Sequence, residues 1–147
     1  MKLSTRTHYM IQVLLDLEIY SREGSPVPLK DIARREEISQ AYLEQMITSL
    51  VAGKIIRSIR GPKGGIILTK PAQDINIKEI VELMEGPTDP VECLVDAKIC
   101  PRSRLCALRD FWDELKTATD QVLASTTIRD LAERQINKGT TENMYSI

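Results

Sequence analysis

Apolar residues recur at helical spacing through the first fifty positions of the chain. Between residues 4 and 22 they lie three or four positions apart, which predicts an amphipathic helix capped by Ser4 or Thr5. The same spacing predicts a short helix that ends near Glu36 and a third helix that Ser39 caps and Gly53 ends. Two short helices joined by a tight connection favour a helix-turn-helix, although such pairs also occur in plain helix packing.

After residue 54 the pattern changes from helical to strand-like. Two β-rich runs, 55–59 and 66–69, flank a turn with the sequence Arg60-Gly61-Pro62-Lys63-Gly64-Gly65. A hairpin that directly follows a helix-turn-helix predicts a winged-helix domain, with Arg60 and Lys63 at the tip of the wing. An ordinary flexible turn is the alternative, and a phosphate-binding loop is excluded because no Gly-Lys-Ser/Thr opens a helix.

The second half of the chain predicts further helices. Asn76 to Glu85 is one, and a long helix begins near Arg104. Along the long helix the apolar or threonine positions alternate in spacings of three and four, which favours a dimerisation helix over internal packing. A short helix to about Gln135 and a loose polar tail follow. The seam consists of Leu105, Leu108, Trp112, Leu115, Thr119, Val122 and Thr126.

These elements predict a mainly α protein with a small β-hairpin wing. The expected units are a winged helix-turn-helix DNA-binding domain over 1–86, a cysteine-containing loop over 87–106, a dimerisation helix region over 104–136 and a flexible tail over 137–147. The face of the third helix opposite its apolar residues is rich in small and amide side chains, which suit entry into a DNA major groove. That face carries Gln40, Ala41, Glu44, Gln45 and Thr48.

The composition changes this picture little. The 147 residues are 42% hydrophobic, so the chain can bury a core. The N-terminus lacks the apolar block of a signal peptide, and no run is apolar enough to span a bilayer. We therefore expect a cytoplasmic protein with no membrane partner, in a compartment where thiols stay reduced.

The net charge of −1 is unevenly distributed along the chain. Residues 1–75 hold eleven Lys or Arg against eight Asp or Glu, a net +3, whereas residues 76–147 hold nine against thirteen, a net −4. This asymmetry is compatible with ordinary solvated faces. It is also what a mildly basic nucleic-acid reader followed by an acidic partner region would produce.

The three cysteines, Cys93, Cys100 and Cys106, lie within one short segment. An odd number excludes a closed set of disulfides. Three thiolates so close together can hold a metal or an iron–sulfur cluster, given a fourth ligand from elsewhere. A structural zinc ion is the alternative, although three thiolates and one carboxylate would make a poor zinc site.

Nothing in the sequence favours an enzyme or a small-molecule substrate. The chain has one histidine, no Ser/His/Asp set and no phosphate loop. The cysteine spacing, with six and then five intervening residues, is not a Cys-x-x-Cys exchange motif. A thiolate site joined to a DNA reader instead indicates a sensor.

Several segments together resemble the bacterial winged helix-turn-helix iron–sulfur cluster regulators, an IscR-like family related to NsrR. The resemblance covers residues 1 to about 135, and the combination of recognition helix, wing tip and cysteine triplet is highly specific. The matching segments are Met1-Lys2-Leu3-Ser4, Pro28-Leu29-Lys30-Asp31-Ile32-Ala33, Ile38-Ser39-Gln40-Ala41-Tyr42-Leu43-Glu44-Gln45, Arg60-Gly61-Pro62-Lys63-Gly64-Gly65, and the three cysteines followed by Trp112.

The resemblance implies a homodimer that binds a palindromic operator in double-stranded DNA. The third helix would enter the major groove and the wing tip the minor groove, with Gln45 and Arg60 as contacts and Glu44 at a position that tunes promoter specificity. The full candidate DNA-binding set is Ser39, Gln40, Ala41, Tyr42, Glu44, Gln45, Arg60, Gly61, Pro62 and Lys63.

The resemblance also implies that Cys93, Cys100 and Cys106 hold an iron–sulfur cluster of the [2Fe-2S] type. Cluster occupancy would then control genes of iron–sulfur cluster biogenesis. A nitric-oxide- or iron-sensing repressor of the same family is the alternative, as is a winged-helix protein with a structural zinc.

One departure from the family pattern leaves the fourth ligand unassigned. The family has a histidine three residues after the last cysteine, where this chain has Arg109, which cannot ligate iron. The single histidine, His8, would have to reach the cluster of the partner protomer, and a partly exposed helix residue is the simpler interpretation of it. The acidic candidates near the loop are Asp89, Glu92, Asp96 and Asp110.

Overall fold

The computed structural model describes residues 2–145, and the side chains of residues 2–140. Seven helices and one antiparallel hairpin make up this part of the chain, with short 3₁₀ turns at Ala72–Asp74, Ala97–Ile99 and Ser103–Leu105. The elements are α1 (Thr5–Tyr20), α2 (Leu29–Arg35), α3 (Gln40–Ala52), β1 (Ile56–Ile59), β2 (Gly65–Leu68), α4 (Ile77–Glu85), α5 (Glu92–Val95), α6 (Ala107–Ser125) and α7 (Ile128–Tyr145).

Polar side chains begin several of these helices where the sequence predicted them. The Ser39 hydroxyl accepts a hydrogen bond from the Tyr42 amide at 3.2 Å, and the Asn76 side chain accepts one from the Glu79 amide at 2.9 Å. Such caps satisfy amide groups that a helix leaves unpaired at its start. The predicted starts of α3 and α4 are confirmed.

The core forms around α1, whose apolar face is fully buried. Leu14 and Leu17 of α1 pack in one cluster with Leu43 of α3, Ile66 of β2 and Ile80 of α4. Burying a side chain of this size stabilises the fold by about 1.5–3 kcal/mol. The helix-turn-helix is therefore fixed against both α1 and the wing.

The wing is a regular hairpin in the predicted place. Its register pairs Ile56 with Leu68 and Ile59 with Gly65. Val27, in the loop before α2, exchanges two 3.0 Å backbone hydrogen bonds with Ile66 and so adds a third extended segment. Gly65 is required there because a β-carbon would collide with the Val27 carbonyl.

A buried ion pair orients α2 against α1. The Asp16 side chain has no exposed surface, and Arg35 donates to both of its carboxylate oxygens, at 2.8 and 2.7 Å. The guanidinium group lies 4.1 Å from the centre of the Tyr20 ring. This planar two-point geometry satisfies a charge that would otherwise be costly to bury.

The C-terminal half corrects three predicted boundaries. The long helix begins at Ala107 and not near Arg104, because Ser103–Leu105 forms a 3₁₀ turn. The last helix does not end near Gln135 but continues to Tyr145, so the loose tail predicted over 137–147 is wrong as far as residue 145. Extending a formed helix costs little per residue even without an apolar period. Residues 146–147 lie outside the described residues.

The predicted dimerisation region over 104–136 divides into two helices with different surroundings. Thr127 and Asp130 form a capping box that starts α7, with bonds of 2.9 and 3.1 Å. Ile128 of α7 is buried in the same core as α1, and Leu131 packs against it. In α6, by contrast, no residue is buried, and Leu123 alone packs against this core among its described apolar residues. In the described part of the chain, no helix is long and apolar enough to cross a membrane.

Candidate nucleic-acid interface and metal centre

The third helix separates its residues cleanly between core and surface. Leu43, Met46, Ile47 and Leu50 are buried, with at most 6% of each exposed. The opposite side is open, and every recognition-helix residue predicted to contact DNA lies there. Those exposed residues are Ser39, Gln40, Ala41, Tyr42, Glu44 and Gln45.

Two contacts order the exposed side of α3. The Gln40 amide donates to a Glu44 carboxylate oxygen at 3.2 Å, one turn along the helix. The Tyr42 ring packs edge-on against Tyr9 of α1, with 6.3 Å between ring centres. Side chains held in this way present a defined set of hydrogen-bonding groups.

The positive charge that DNA binding requires lies beside α3. This helix contains no Lys or Arg, and Glu44 is its one charged residue. The predicted wing-tip residues Arg60, Gly61, Pro62 and Lys63 are all exposed. Lys30, which the sequence analysis did not single out, lines with Gln40 and Gly64 the groove between α2 and the wing. Only the folded arrangement reveals this neighbourhood.

The three cysteines lie in a loop with its own hydrogen bonds. Cys93 is in α5, Cys100 follows the Ala97–Ile99 turn, and Cys106 immediately precedes α6. All three are half-buried free thiols. The Ser103 hydroxyl donates to the Cys100 carbonyl at 2.9 Å, and Arg109 Nε donates to the Cys93 carbonyl at 3.2 Å. Arg109 thus ties the segment of Cys93 to the helix that follows Cys106.

The donor types fit an iron–sulfur cluster, because thiolates are the usual ligands of such clusters. The cysteines have the right chemistry for a cluster, but they do not form a ready-made binding site within the described residues. Among residues 2–140, no three side chains of His, Cys, Asp or Glu converge in a way that could hold a metal ion.

The candidate fourth ligands differ in the salt bridges and hydrogen bonds that they already form. Asp89 lies 3.6 Å from the Lys116 ammonium group, and the Asp96 carboxylate accepts from the Lys98 amide at 2.9 Å. His8, Glu92 and Asp110 are exposed. Glu92 and Asp110 can therefore turn toward a metal at less cost in existing contacts, whereas the His8 ring lies 6.3 Å from the centre of the Tyr9 ring.

Lys116 also links the cysteine loop to the DNA-binding unit. It pairs with Asp120 at 2.8 Å, and Asp120 lies 3.5 Å from Lys78 of α4. The ammonium group of Lys116 lowers the pKa of Asp120, and the carboxylate of Asp120 raises the pKa of Lys116. The row of charges runs from Asp89 through α6 to α4.

Within the described residues, the large aliphatic side chains of the α6 seam are exposed. No residue of this helix is buried, and Leu108, Leu115 and Val122 are 66%, 45% and 66% exposed. Phe111, which the seam did not include, is 54% exposed and packs 5.0 Å from the Trp112 ring. Large exposed apolar patches mark interaction sites.

Comparison with known proteins agrees with this architecture. Residues 3–134 match the Rrf2 family, described as iron-dependent transcriptional regulators. Protein rrf2 of Nitratidesulfovibrio vulgaris is 39% identical over 89% of this chain and 87% of its own. The regulator CymR of Bacillus subtilis is 36% identical over 90% of each chain, and a CymR structure superposes with a TM-score of 0.76, covering 91% of this chain and 98% of that one.

The structure of T. potens IscR is also similar, with a TM-score of 0.71 and 30% identity over 92% of this chain and 88% of that chain. The fold and the match together define a winged-helix transcriptional regulator and not an enzyme. The chain belongs to the Rrf2 family and is IscR-like.

Proposed function

We propose that this protein is a homodimeric DNA-binding regulator that senses iron–sulfur cluster status through Cys93, Cys100 and Cys106. The observation that carries the DNA-binding part is the exposed polar side of α3 beside an exposed basic wing tip. The two-fold axis of a dimer would match a palindromic operator in double-stranded DNA. The regulator would act in the cytoplasm, where the thiols stay reduced.

On the operator, α3 enters the major groove and the wing tip the minor groove. A carboxylate such as Glu44 accepts a hydrogen bond from the amino group of cytosine, and an amide such as Gln45 pairs with adenine. Arg60 at the wing tip suits a narrow minor groove, where the negative potential is strongest. The remaining residues of the proposed contact surface are Ser39, Gln40, Ala41, Tyr42, Gly61, Pro62 and Lys63.

The second copy of the chain would cover the seam of α6. Leu108, Leu115 and Val122 would pack against their counterparts, since their exposure in one protomer is costly in water. Pairing through α6 would leave α3 and the wing free for DNA.

A bound [2Fe-2S] cluster would supply a centre that responds to oxidation and to cluster supply. The three cysteines would bind it, with His8 of the partner protomer or one of Asp89, Glu92, Asp96 and Asp110 as the fourth ligand. An oxygen or imidazole ligand is harder than a thiolate, so the bond between the cluster iron and the fourth ligand would be weaker than the iron–thiolate bonds. A cluster that is easily lost suits a sensor of cluster status, and the target genes would include those of cluster biogenesis.

The similarity to IscR and the iron-dependent description of the family support this assignment. A nitric-oxide- or iron-sensing repressor of the same family is a second candidate, as is a winged-helix protein with a structural zinc. The similarity to CymR, described as the global cysteine regulator of B. subtilis, supports a third candidate that acts on cysteine metabolism.

Anaerobic purification followed by iron, sulfide and zinc analysis separates a cluster-binding regulator from a protein with a structural zinc. We expect iron and sulfide with visible absorption, and each of Cys93→Ala, Cys100→Ala and Cys106→Ala should bleach that absorption while circular dichroism stays unchanged. His8→Ala and the four acid-to-alanine variants then identify the fourth ligand. Zinc without iron, or cysteine variants with a wild-type spectrum, would refute cluster sensing.

A further inference from the structure

Gln40 and Glu44 form a hydrogen-bonded pair on the exposed side of α3. The Gln40 amide nitrogen donates to Glu44 Oε1 at 3.2 Å, across one helical turn. The bond consumes one amide hydrogen of Gln40. It leaves the second carboxylate oxygen of Glu44 and the amide oxygen of Gln40 as acceptors, and the second amide hydrogen of Gln40 as a donor, for a DNA groove.

The wing lies across a groove from the Gln40 side chain. Gln40 lines the groove between α2 and the wing, together with Lys30, Ile59 and Gly64. The base of this wing is held to the segment before α2 by the backbone pairing of Val27 and Ile66. Gln40 therefore lies between a fixed structural element and the carboxylate of Glu44.

The Glu44 carboxylate contacts the Gln40 amide through this hydrogen bond. It forms no salt bridge within residues 2–140, and no Lys or Arg occurs in α3 to hold it. A long exposed side chain with no contact would sample several rotamers, and a mobile carboxylate would read a base poorly. An amide donor one turn away selects the rotamer that points along the helix.

We propose that Gln40 is a positioning residue for base recognition, which holds the Glu44 carboxylate at one place on the DNA-facing side of α3. Fixing the carboxylate sharpens its preference for a base pair that offers an amino donor, against one that offers only acceptors at the same point. The inference rests on the proposed DNA-binding function and adds a positioning residue to its base recognition.

Selection from a random double-stranded DNA library with the full-length protein provides the test. Selection with the wild type gives the operator sequence. The operator position at which Glu44→Ala loses its base preference is then the base pair that Glu44 recognises. We expect Gln40→Leu to reduce discrimination at that one position by roughly two-fold, the scale of a side-chain pair one turn apart on a helix. Gln40→Lys, which keeps a donor, should restore most of it.

A double-mutant cycle separates positioning from direct reading. In the Glu44→Ala background, Gln40→Leu should change nothing further at that operator position, because the carboxylate it acts on is gone. Gln73→Leu, a change of the same size at an exposed residue outside α3 and the wing, is the matched control and should match the wild type. Circular dichroism checks that each variant is folded.

Three outcomes would overturn the inference. Unchanged discrimination in Gln40→Leu would show that Glu44 needs no support, and an equal loss at every operator position would show a general binding contact. Additive effects in the double mutant would show that Gln40 reads a base by itself. A wild type that selects no sequence would refute the proposed function as well, whereas the first three results leave that function intact.

Discussion

Glu36 lies at the turn between α2 and α3, beside the buried ion pair of Asp16 and Arg35. Burial, reinforced by the charge of Asp16 and a hydrogen bond to it, raises the pKa of Glu36 from 4.5 to about 7, although Arg35 opposes the shift. A carboxyl group in this setting is uncharged at acidic pH and acquires charge near neutrality. The charge of the turn between α2 and α3 therefore changes with pH near neutrality.

Glu36→Gln should flatten the pH dependence of stability. Because the folded pKa exceeds the unfolded one, the stabilising effect is complete below pH 4.5 and is lost as pH rises through about 7. In urea unfolding, the free energy of unfolding of the wild type should decrease as the pH rises from 4.5 to about 7. The free energy of unfolding of Glu36→Gln should decrease less over the same range. Glu37→Gln, at the exposed neighbour, is the control and should keep the wild-type slope. Parallel curves for wild type and Glu36→Gln would contradict the assignment.

Arg60→Ala should weaken operator binding by about 1–3 kcal/mol if this exposed side chain makes a groove contact. The reason is that a guanidinium at the wing tip can enter the minor groove, where no other wing-tip side chain carries its fork of donors. Fluorescence anisotropy on the selected operator measures the change. Arg22→Ala, at an exposed arginine in the loop after α1, should bind as the wild type does. Equal affinities for Arg60→Ala and wild type would exclude the contact.

At the scale of elements, α6 decides the oligomeric state in our proposal. Replacing Leu115 and Val122 with glutamate should give monomers by light scattering and abolish operator binding, because two charges per protomer would be placed in an apolar interface. Thr117→Glu and Ala124→Glu add the same charge at exposed positions outside the seam and should remain dimeric. A seam variant that stays dimeric and binds DNA would place the interface elsewhere.

At the scale of the whole molecule, the charge asymmetry matters more than the net charge of −1. The basic residues beside α3, which include Lys30 and Lys63, would meet phosphates while the acidic second half stays away from DNA. We expect the logarithm of the affinity to fall linearly with the logarithm of salt concentration, with a slope of about 0.9 per neutralised phosphate. Lys63→Ala should lower that slope by about one. Affinity that does not vary with salt would contradict phosphate anchoring.

The sequence by itself determined the local elements, because periodicity, caps and turns depend on neighbouring residues. Ser39, Asn76 and the glycine-rich wing tip marked the starts of α3 and α4 and the place of the hairpin, and the structure agrees. The apolar seam of α6 could also be recognised from the sequence, because its residues recur at alternating spacings of three and four. The failure lay at α7, whose extension to Tyr145 has no period to reveal it.

Only the tertiary structure decided which distant residues meet. Glu85 at the end of α4 accepts hydrogen bonds from Ser4, 81 residues away, and from Thr7, and these bonds lower its pKa. Asp16 likewise meets Arg35 across 19 positions, and Gln40 lines one groove with the wing. Such contacts leave no local signature, because they depend on how helices pack and not on spacing along the chain. For the same reason the sequence placed three cysteines in one loop, whereas the fold decides whether they reach a common centre.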